Sequence, residues 1–445
     1  MPSRASCPIV PLLLTAAMCA VPSGAAAQGA PSAAVQAPAT APAVAPPVEA
    51  LVAEALARSP ALAARRSDVA AREAEEGPAA ALPDPMVEAM LQNPGLEWRV
   101  GEEDMAMLGG ELRQQLPYPG KRRAARRVAE AATARARAAL VHQERQLAHD
   151  VRVVYAKIYA VDGELEALAA ARELVELLEA TTRGRYTVGE SDAASLLRAG
   201  LERTRLGEEE ADLLAERAVA VAELGRLLDW PGGVPLGPVR ELPAMALAEG
   251  SIEELALHGS AEVALRAADS DRTAAELARR RLDLEPDFSA GAGVGWRDDL
   301  DPMITLRLGV SLPLWKRGKQ QALVTAAEHD LAARRHEEAD ARAMARAEAA
   351  ALLARFRTAE EQARRYRDGV LPQSAAVLDA ARAAYLAGRG GFAELLEAFS
   401  TWLQARAGLV RRESDRFAAW AGLEHLAGGH LVQGDLPGDA QGDLP

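Results

Sequence analysis

Leu112-Arg113-Gln114-Gln115-Leu116-Pro117, followed by Gly120-Lys121-Arg122, has a counterpart in the second half of the chain: Leu308-Gly309-Val310-Ser311-Leu312-Pro313, followed by Gly318-Lys319-Gln320. The echo extends outward. Tyr186-Thr187-Val188-Gly189 with Leu196-Leu197 recurs as Tyr385-Leu386-Ala387-Gly388 with Leu395-Leu396, and Asp84-Pro85-Met86-Val87 as Glu285-Pro286-Asp287-Phe288. Long tandem halves mean that one architecture is built twice.

Within these stretches the hydrophobic period is two. Ile304, Leu306, Leu308, Val310 and Leu312 alternate with Thr305, Arg307, Gly309 and Ser311; Phe288, Ala290, Ala292, Val294 and Trp296 alternate with Ser289, Gly291, Gly293 and Gly295. The first half is noisier: Val87, Ala89 and Leu91 against Glu88 and Gln92, then Leu108, Leu112 and Leu116 against Glu111, Arg113 and Gln115. Such strands suit a membrane barrel with a wet interior, and a soluble two-stranded ribbon satisfies the alternation equally. Tyr118, Trp296 and Trp315 at the strand ends have the character of a membrane-interface girdle. Four strands cannot enclose a water-filled bore, and open edges are prohibitive in lipid, so a barrel requires strands pooled between copies.

Elsewhere the chain reads as long helices. Amphipathic segments open the halves at about 48–74 and 251–281, the second with Ser251 and Glu254 in capping-box spacing. Long runs follow the strands from Gly120 and Gly318 to the Tyr-x-x-Gly reversals, with kinks or side elements expected near Asp162-Gly163 and near Asp368-Gly369 with Pro372. Gly189 and then Ser191 offer a helix stop and a new cap, and return helices run back from each reversal.

The composition agrees: 4% of residues are aromatic and 26% charged, with a net charge of -13 that disfavours nucleic-acid partners. Residues 1–27 read as a secretory signal and 28–47 as an Ala/Pro-rich linker, so that Cys7 and Cys19 would leave with the signal. The first repeat is assigned to 48–229, with strands about 84–97 and 103–117 and a tip about 186–192. A connection at 230–250 leads to the second repeat at 251–427, with strands about 286–297 and 302–314 and a tip about 385–391. A tail expected to be disordered covers 428–445.

This order of helix, two strands ending in Leu-Pro then Gly-Lys, and a very long hairpin reversing at Tyr-x-x-Gly, all repeated behind a signal, resembles the TolC-type outer-membrane efflux proteins over 48–428. The form Leu116-Pro117-Tyr118-Pro119-Gly120-Lys121-Arg122 resembles their heavy-metal-efflux branch. The resemblance implies a mainly α fold with a membrane β-barrel portion: a homotrimer with a 12-stranded barrel continuous with an α-helical periplasmic tunnel. It implies a passive exit duct in the outer membrane of a Gram-negative-type cell, served by a periplasmic adaptor and an inner-membrane pump and exporting heavy-metal cations. Carried over residue by residue, Val188, Gly189, Ala387 and Gly388 become adaptor-contact positions at the tip, and Tyr385, Arg389, Glu394 and Glu397 a pore constriction. The chain departs from the family where Gly390 replaces a tip arginine and Arg389 falls one residue early. The i, i+3 spacing of Glu394 and Glu397 puts both carboxylates on one helix face, so three copies would stack two acidic rings.

Other groups are weaker pointers. Lys121, Arg122, Arg123, Arg126, Arg127, Lys316, Arg317 and Lys319 suit either lipid anchorage or an ordinary helix surface. Met86, Met90, Met105 and Met107 suit either a soft metal or apolar filling. His142 and His149, like His329 and His336, stand seven apart, too far along a helix to share an ion, and neither a phosphate loop nor a catalytic constellation is present. No enzyme and no cofactor are expected. The alternative function is a periplasmic coiled-coil scaffold or adaptor without a channel.

Overall fold

Gly120, at φ +105°, turns the chain from β2 (Met107–Leu116) into α3 (Lys121–Thr187). In the computed structural model, which describes residues 44–92, 107–189, 192–230, 236–245, 247, 252–297 and 300–428, α3 has 67 residues. At 1.5 Å rise per residue that is about 100 Å. Its counterpart is α7 (Gln320–Arg365), a π-helical turn at Tyr366–Val370 and α8 (Leu371–Leu386), of 46, 5 and 16 residues and together as long as α3. The return helices are α4 (Ala193–Leu227) and α9 (Phe392–Ala427). The signal, residues 28–43 of the linker, residues 93–97 and 103–106 of the expected strands (Met105 among them), the Ser251 cap and the tail beyond Gly428 lie outside the described residues.

Each opening segment is two helices rather than one. The first is α1 (Val48–Arg58) and α2 (Pro60–Ala79); the second is α5 (Ile252–Gly259) and α6 (Ala261–Leu282). A serine makes each break by starting a new cap: Leu62 N–H donates to Ser59 Oγ at 3.4 Å and Val263 N–H to Ser260 Oγ at 3.3 Å. At the tip the cap falls one residue beyond Ser191, on Asp192, whose carboxylate accepts from Ser195 N–H at 2.9 Å.

α3 runs without interruption through Asp162-Gly163, where both residues serve packing. A Cβ on Gly163 would sit 2.6 Å from a methyl of Val410, so the glycine allows α9 to approach. Asp162 binds Arg217 at 2.5 Å and the Val239 N–H at 2.8 Å, tying the inter-repeat connection to α3. The expected irregularity at Asp368-Gly369 is the π-helical turn. There α9 grips it: Arg367 pairs with Glu413, which also accepts from Tyr159 at 2.6 Å, and Tyr366 packs over Gly408.

α6 and α9 both pack between α3 and α7, whereas α2 and α4 pack chiefly on α3. A Cβ on Gly259 would lie 2.3 Å from the Ala427 carbonyl oxygen, so the end of α5 abuts the end of α9. Two large apolar clusters hold the helices, with two small ones between α6 and α7 around Val263 and Leu277. Of the large pair, the larger joins α1, α3, α4, α5, α7 and α9 around Leu51, Val151, Ile158, Leu224, Phe417 and Leu423; the smaller fills the tip around Leu178, Leu206, Tyr385, Leu395 and Phe399.

β1 (Met86–Gln92), β2, β3 (Asp287–Arg297) and β4 (Leu300–Ser311) form one antiparallel sheet in the order β1-β2-β3-β4. The two repeats therefore join through β2 and β3. β1 begins at Met86, after Pro85, and β4 spans Leu300–Ser311 rather than 302–314, ending before Pro313, which has no N–H to donate. Register puts Leu108 opposite Trp296, Leu112 opposite Ala292, Ala292 opposite Leu306 and Ala290 opposite Leu308, a continuous apolar face. Leu306, Leu308 and Ile304 on that face are exposed, Leu308 at 91%.

Candidate functional site

Two regions carry the residues singled out by the sequence: the hairpin tip and the sheet. At the tip both chain reversals use a left-handed glycine, Gly189 at φ +79° and Gly388 at φ +71°. Val188, Gly189, Ala387 and Gly388 are all exposed on these turns, Val188 at 70%. Arg389 is exposed as well, and its backbone N–H donates to the Ala384 carbonyl at 2.9 Å.

Tyr385 is placed differently, only 4% exposed within the tip cluster. Its hydroxyl pairs with Thr182 Oγ1 at 2.7 Å and its ring meets Phe392 edge-on, with centroids 5.8 Å apart. Arg185, from the other hairpin, donates to the Tyr385 carbonyl at 2.7 Å while its guanidinium lies 5.1 Å from the ring centroid. Thr182 and Arg185 thus latch one tip onto the other. Neither stands out in the sequence, where the available signal is slight: Arg185 is a cation in the last turn of a helix. Thr182→Val would leave a buried phenol hydroxyl without its partner, costing about 1–3 kcal/mol locally. The expected result is faster amide exchange and faster trypsin cleavage at the tip, with the other described helices unaffected; identical exchange in both proteins would refute the latch.

Glu394 and Glu397 begin α9 on one exposed face. Glu394 accepts from the Gly391 N–H at 3.3 Å, the reciprocal half of a helix cap, so its carboxylate also serves the turn.

The second face of the sheet is charged. Arg113 lies 3.3 Å from both Glu88 and Glu111, and Arg307 lies 3.2 Å from Glu111, so four charges cross all four strands without a gap, with Gly291 and Gly293 facing Glu111 on β3. The glycines make room: a Cβ on Gly291 would lie 2.9 Å from a Glu111 oxygen. Met86 and Met90 share this face with Glu88, while Met107 is buried beside Gly295. Tyr118 and Trp315 sit at the helix end of the sheet and Trp296 near the opposite end; Trp315 is 75% exposed. Lys121 does not stand free for lipid: it binds the Asp287 carboxylate at 2.8 Å and the Glu285 carbonyl at 3.1 Å, fastening β3 to the start of α3. Lys316, Arg317 and Lys319 are exposed.

Residues 254–429 match the sequence profile of the family described as outer membrane efflux protein. The matched stretch coincides with the second repeat. Solved structures extend the likeness in fold over both repeats. VceC from Vibrio cholerae superposes with a TM-score of 0.71 at 18% identity, covering 86% of this chain and 96% of its own. The open-state MtrE channel of Neisseria gonorrhoeae gives 0.69 at 18% identity, covering 87% and 90%. CusC, described as changing conformation with folding and transmembrane channel formation, gives 0.75 at 18% identity, covering 86% and 92%. No curated protein matches the chain by sequence. The matched profile is described as outer membrane efflux protein and MtrE as an outer membrane channel, so the likeness is to proteins of that membrane. Among the described residues no helix is long and apolar enough to cross a membrane.

Proposed function

We propose that three copies of this chain assemble into a passive exit duct of a tripartite efflux system, docked at its periplasmic tip to an adaptor and through it to an inner-membrane pump. The observation that carries the assembly is the pair of free sheet edges. Among the described residues β1 and β4 each have a strand partner on one side only, and their apolar face is exposed. Pairing β4 of one copy with β1 of the next satisfies both edges, turns the apolar face to lipid and the Glu88-Arg113-Glu111-Arg307 belt to the bore. The helices have a similar asymmetry, since among the described residues α2 and α4 pack chiefly on α3 while α7 packs chiefly on the second-repeat helices.

In this reading Val188, Gly189, Ala387 and Gly388 meet the adaptor, and Glu394 and Glu397 form acidic rings near the entrance, where Arg389 and the Tyr385 turn narrow the passage. Tyr118, Trp296 and Trp315 rest at the lipid boundary. The rings favour cations; export of heavy-metal cations rests on the Leu116–Arg122 resemblance. Ionic conductance across a planar bilayer tests the duct. Wild-type protein is expected to give discrete cation-preferring steps, and Glu394→Gln with Glu397→Gln to move the reversal potential in a salt gradient toward the unselective value. Steps of unchanged selectivity would remove the rings from the pathway. No steps in either form, from protein shown to insert, would favour the scaffold alternative.

A further inference from the structure

His142 and His149 are about 10 Å apart along α3, from seven residues at 1.5 Å each, and cannot share an ion by themselves. α9 alters this by bringing a third histidine to the same place. The His149 and His425 ring centroids are 5.2 Å apart with the planes inclined at 36°, and His142 and His425 border one groove. All three histidines hold a buried Nδ1 that makes no hydrogen bond. Three unsatisfied imidazole nitrogens in one neighbourhood are unusual, because buried polar atoms are nearly always paired.

The surroundings can admit a ligand. His149 and His425 open onto a groove of about 690 Å³ between α3, α7 and α9, and His142 and His425 onto an adjoining one of about 540 Å³; Glu348 borders both. The Nε2 of His142 lies 3.7 Å from Glu262, which occupies that ring from its other side. Arg145, a nearby cation, is engaged with the Gly259 carbonyl.

We propose that His149 and His425 bind a first-row transition-metal dication of the zinc, nickel or copper class, linking α3 to the last turns of α9. Imidazole is a preferred ligand for these ions. With metal–nitrogen bonds of about 2.0 Å, two imidazoles on a tetrahedral ion have ring centroids about 5 Å apart, which is the spacing found here. Among the described residues no three histidine, cysteine or carboxylate side chains converge as a metal-binding group, so water completes the coordination and the ion stays exchangeable. The site lies on α3 and α9 away from the tip acids, and it does not depend on the exit-duct proposal.

The test uses full-length protein in detergent, purified without a polyhistidine tag and stripped with chelator. Equilibrium dialysis against Zn²⁺ is expected to show one ion per protomer. His149→Asn and His425→Asn are each expected to weaken binding by more than about tenfold, while His329→Asn with His336→Asn on α7 leaves it unchanged. A Cu²⁺ spin-resonance spectrum of the wild type is expected to show coupling to two imidazole nitrogens, a readout that survives if a variant fails to fold. No ion bound, equal affinity in the His149 and His425 variants, or a spectrum with oxygen ligands alone would overturn the site.

Discussion

Leu306→Arg is expected to keep the chain out of the outer membrane, whereas Thr305→Arg, the adjacent substitution, is expected to be accepted. Both residues lie at the middle of β4, and register places Leu306 opposite Ala292 and Thr305 opposite Gly293. Leu306 belongs to the exposed apolar face with Ile304 and Leu308; Thr305 belongs to the charged face with Glu111 and Arg307. An arginine facing lipid at the bilayer midplane costs about 2–4 kcal/mol, falling toward zero at the interfaces. Three copies in the proposed trimer would bring this to roughly 6–12 kcal/mol, comparable with the whole stability of a typical domain. Arginine at position 305 instead joins a wall that already holds Arg113 and Arg307. Membrane fractionation and resistance of the oligomer to detergent denaturation measure the outcome. Normal insertion of the Leu306 variant would mean that this face does not meet lipid, and loss of the Thr305 variant alone would invert the assignment of faces.

The second large effect is expected at Asp162. Its side chain is 6% exposed and that of Arg217 22%, so their ion pair is largely dry. Arg217 also donates to the Leu236 and Gly237 carbonyls at 3.0 and 3.1 Å, and Asp162 accepts from the Val239 N–H. One carboxylate thus fastens α4 and the inter-repeat connection to α3. Asp162→Ala would strand a mostly buried guanidinium and orphan a backbone N–H, for which the expected loss is about 3–5 kcal/mol. Asp162→Asn keeps an acceptor for Val239 and is expected to lose less. Denaturant unfolding of the detergent-solubilised protein, with protease sensitivity of the connection, reads the difference. An unchanged midpoint in the alanine variant would show that the pair contributes no net stability.

Much of this architecture follows from local patterns. Period-two alternation around Leu306 and Leu308 marks a two-faced strand because successive side chains must point to opposite sides. Tyr186 to Gly189 and Tyr385 to Gly388 mark reversals because a left-handed residue ends a helix, and both glycines adopt positive φ. Local pattern failed where a residue serves a distant partner. Asp162-Gly163 has the composition of a break, yet both residues are spent on α4, α9 and the connection, and the helix runs through them.

The acids at the tip illustrate the same division. Glu394 and Glu397 share an exposed face, as their spacing requires, whereas the inward turn of Tyr385 onto Thr182 and Arg185 depends on two hairpins separated by roughly half the chain. The four-charge belt could not be read from Glu88, Glu111, Arg113 and Arg307 before the pairing of β2 with β3 was known, since alternation sets a side chain's face and not its neighbour. His142 and His149 are separated by helical rise, a constraint that holds along one helix and says nothing about His425 on another. Repeat, period and reversal are thus properties of bonded neighbours and were present in the chain itself. Strand order, buried ion pairs and the meeting of the histidines are properties of packing, which only the folded arrangement of separate elements decides.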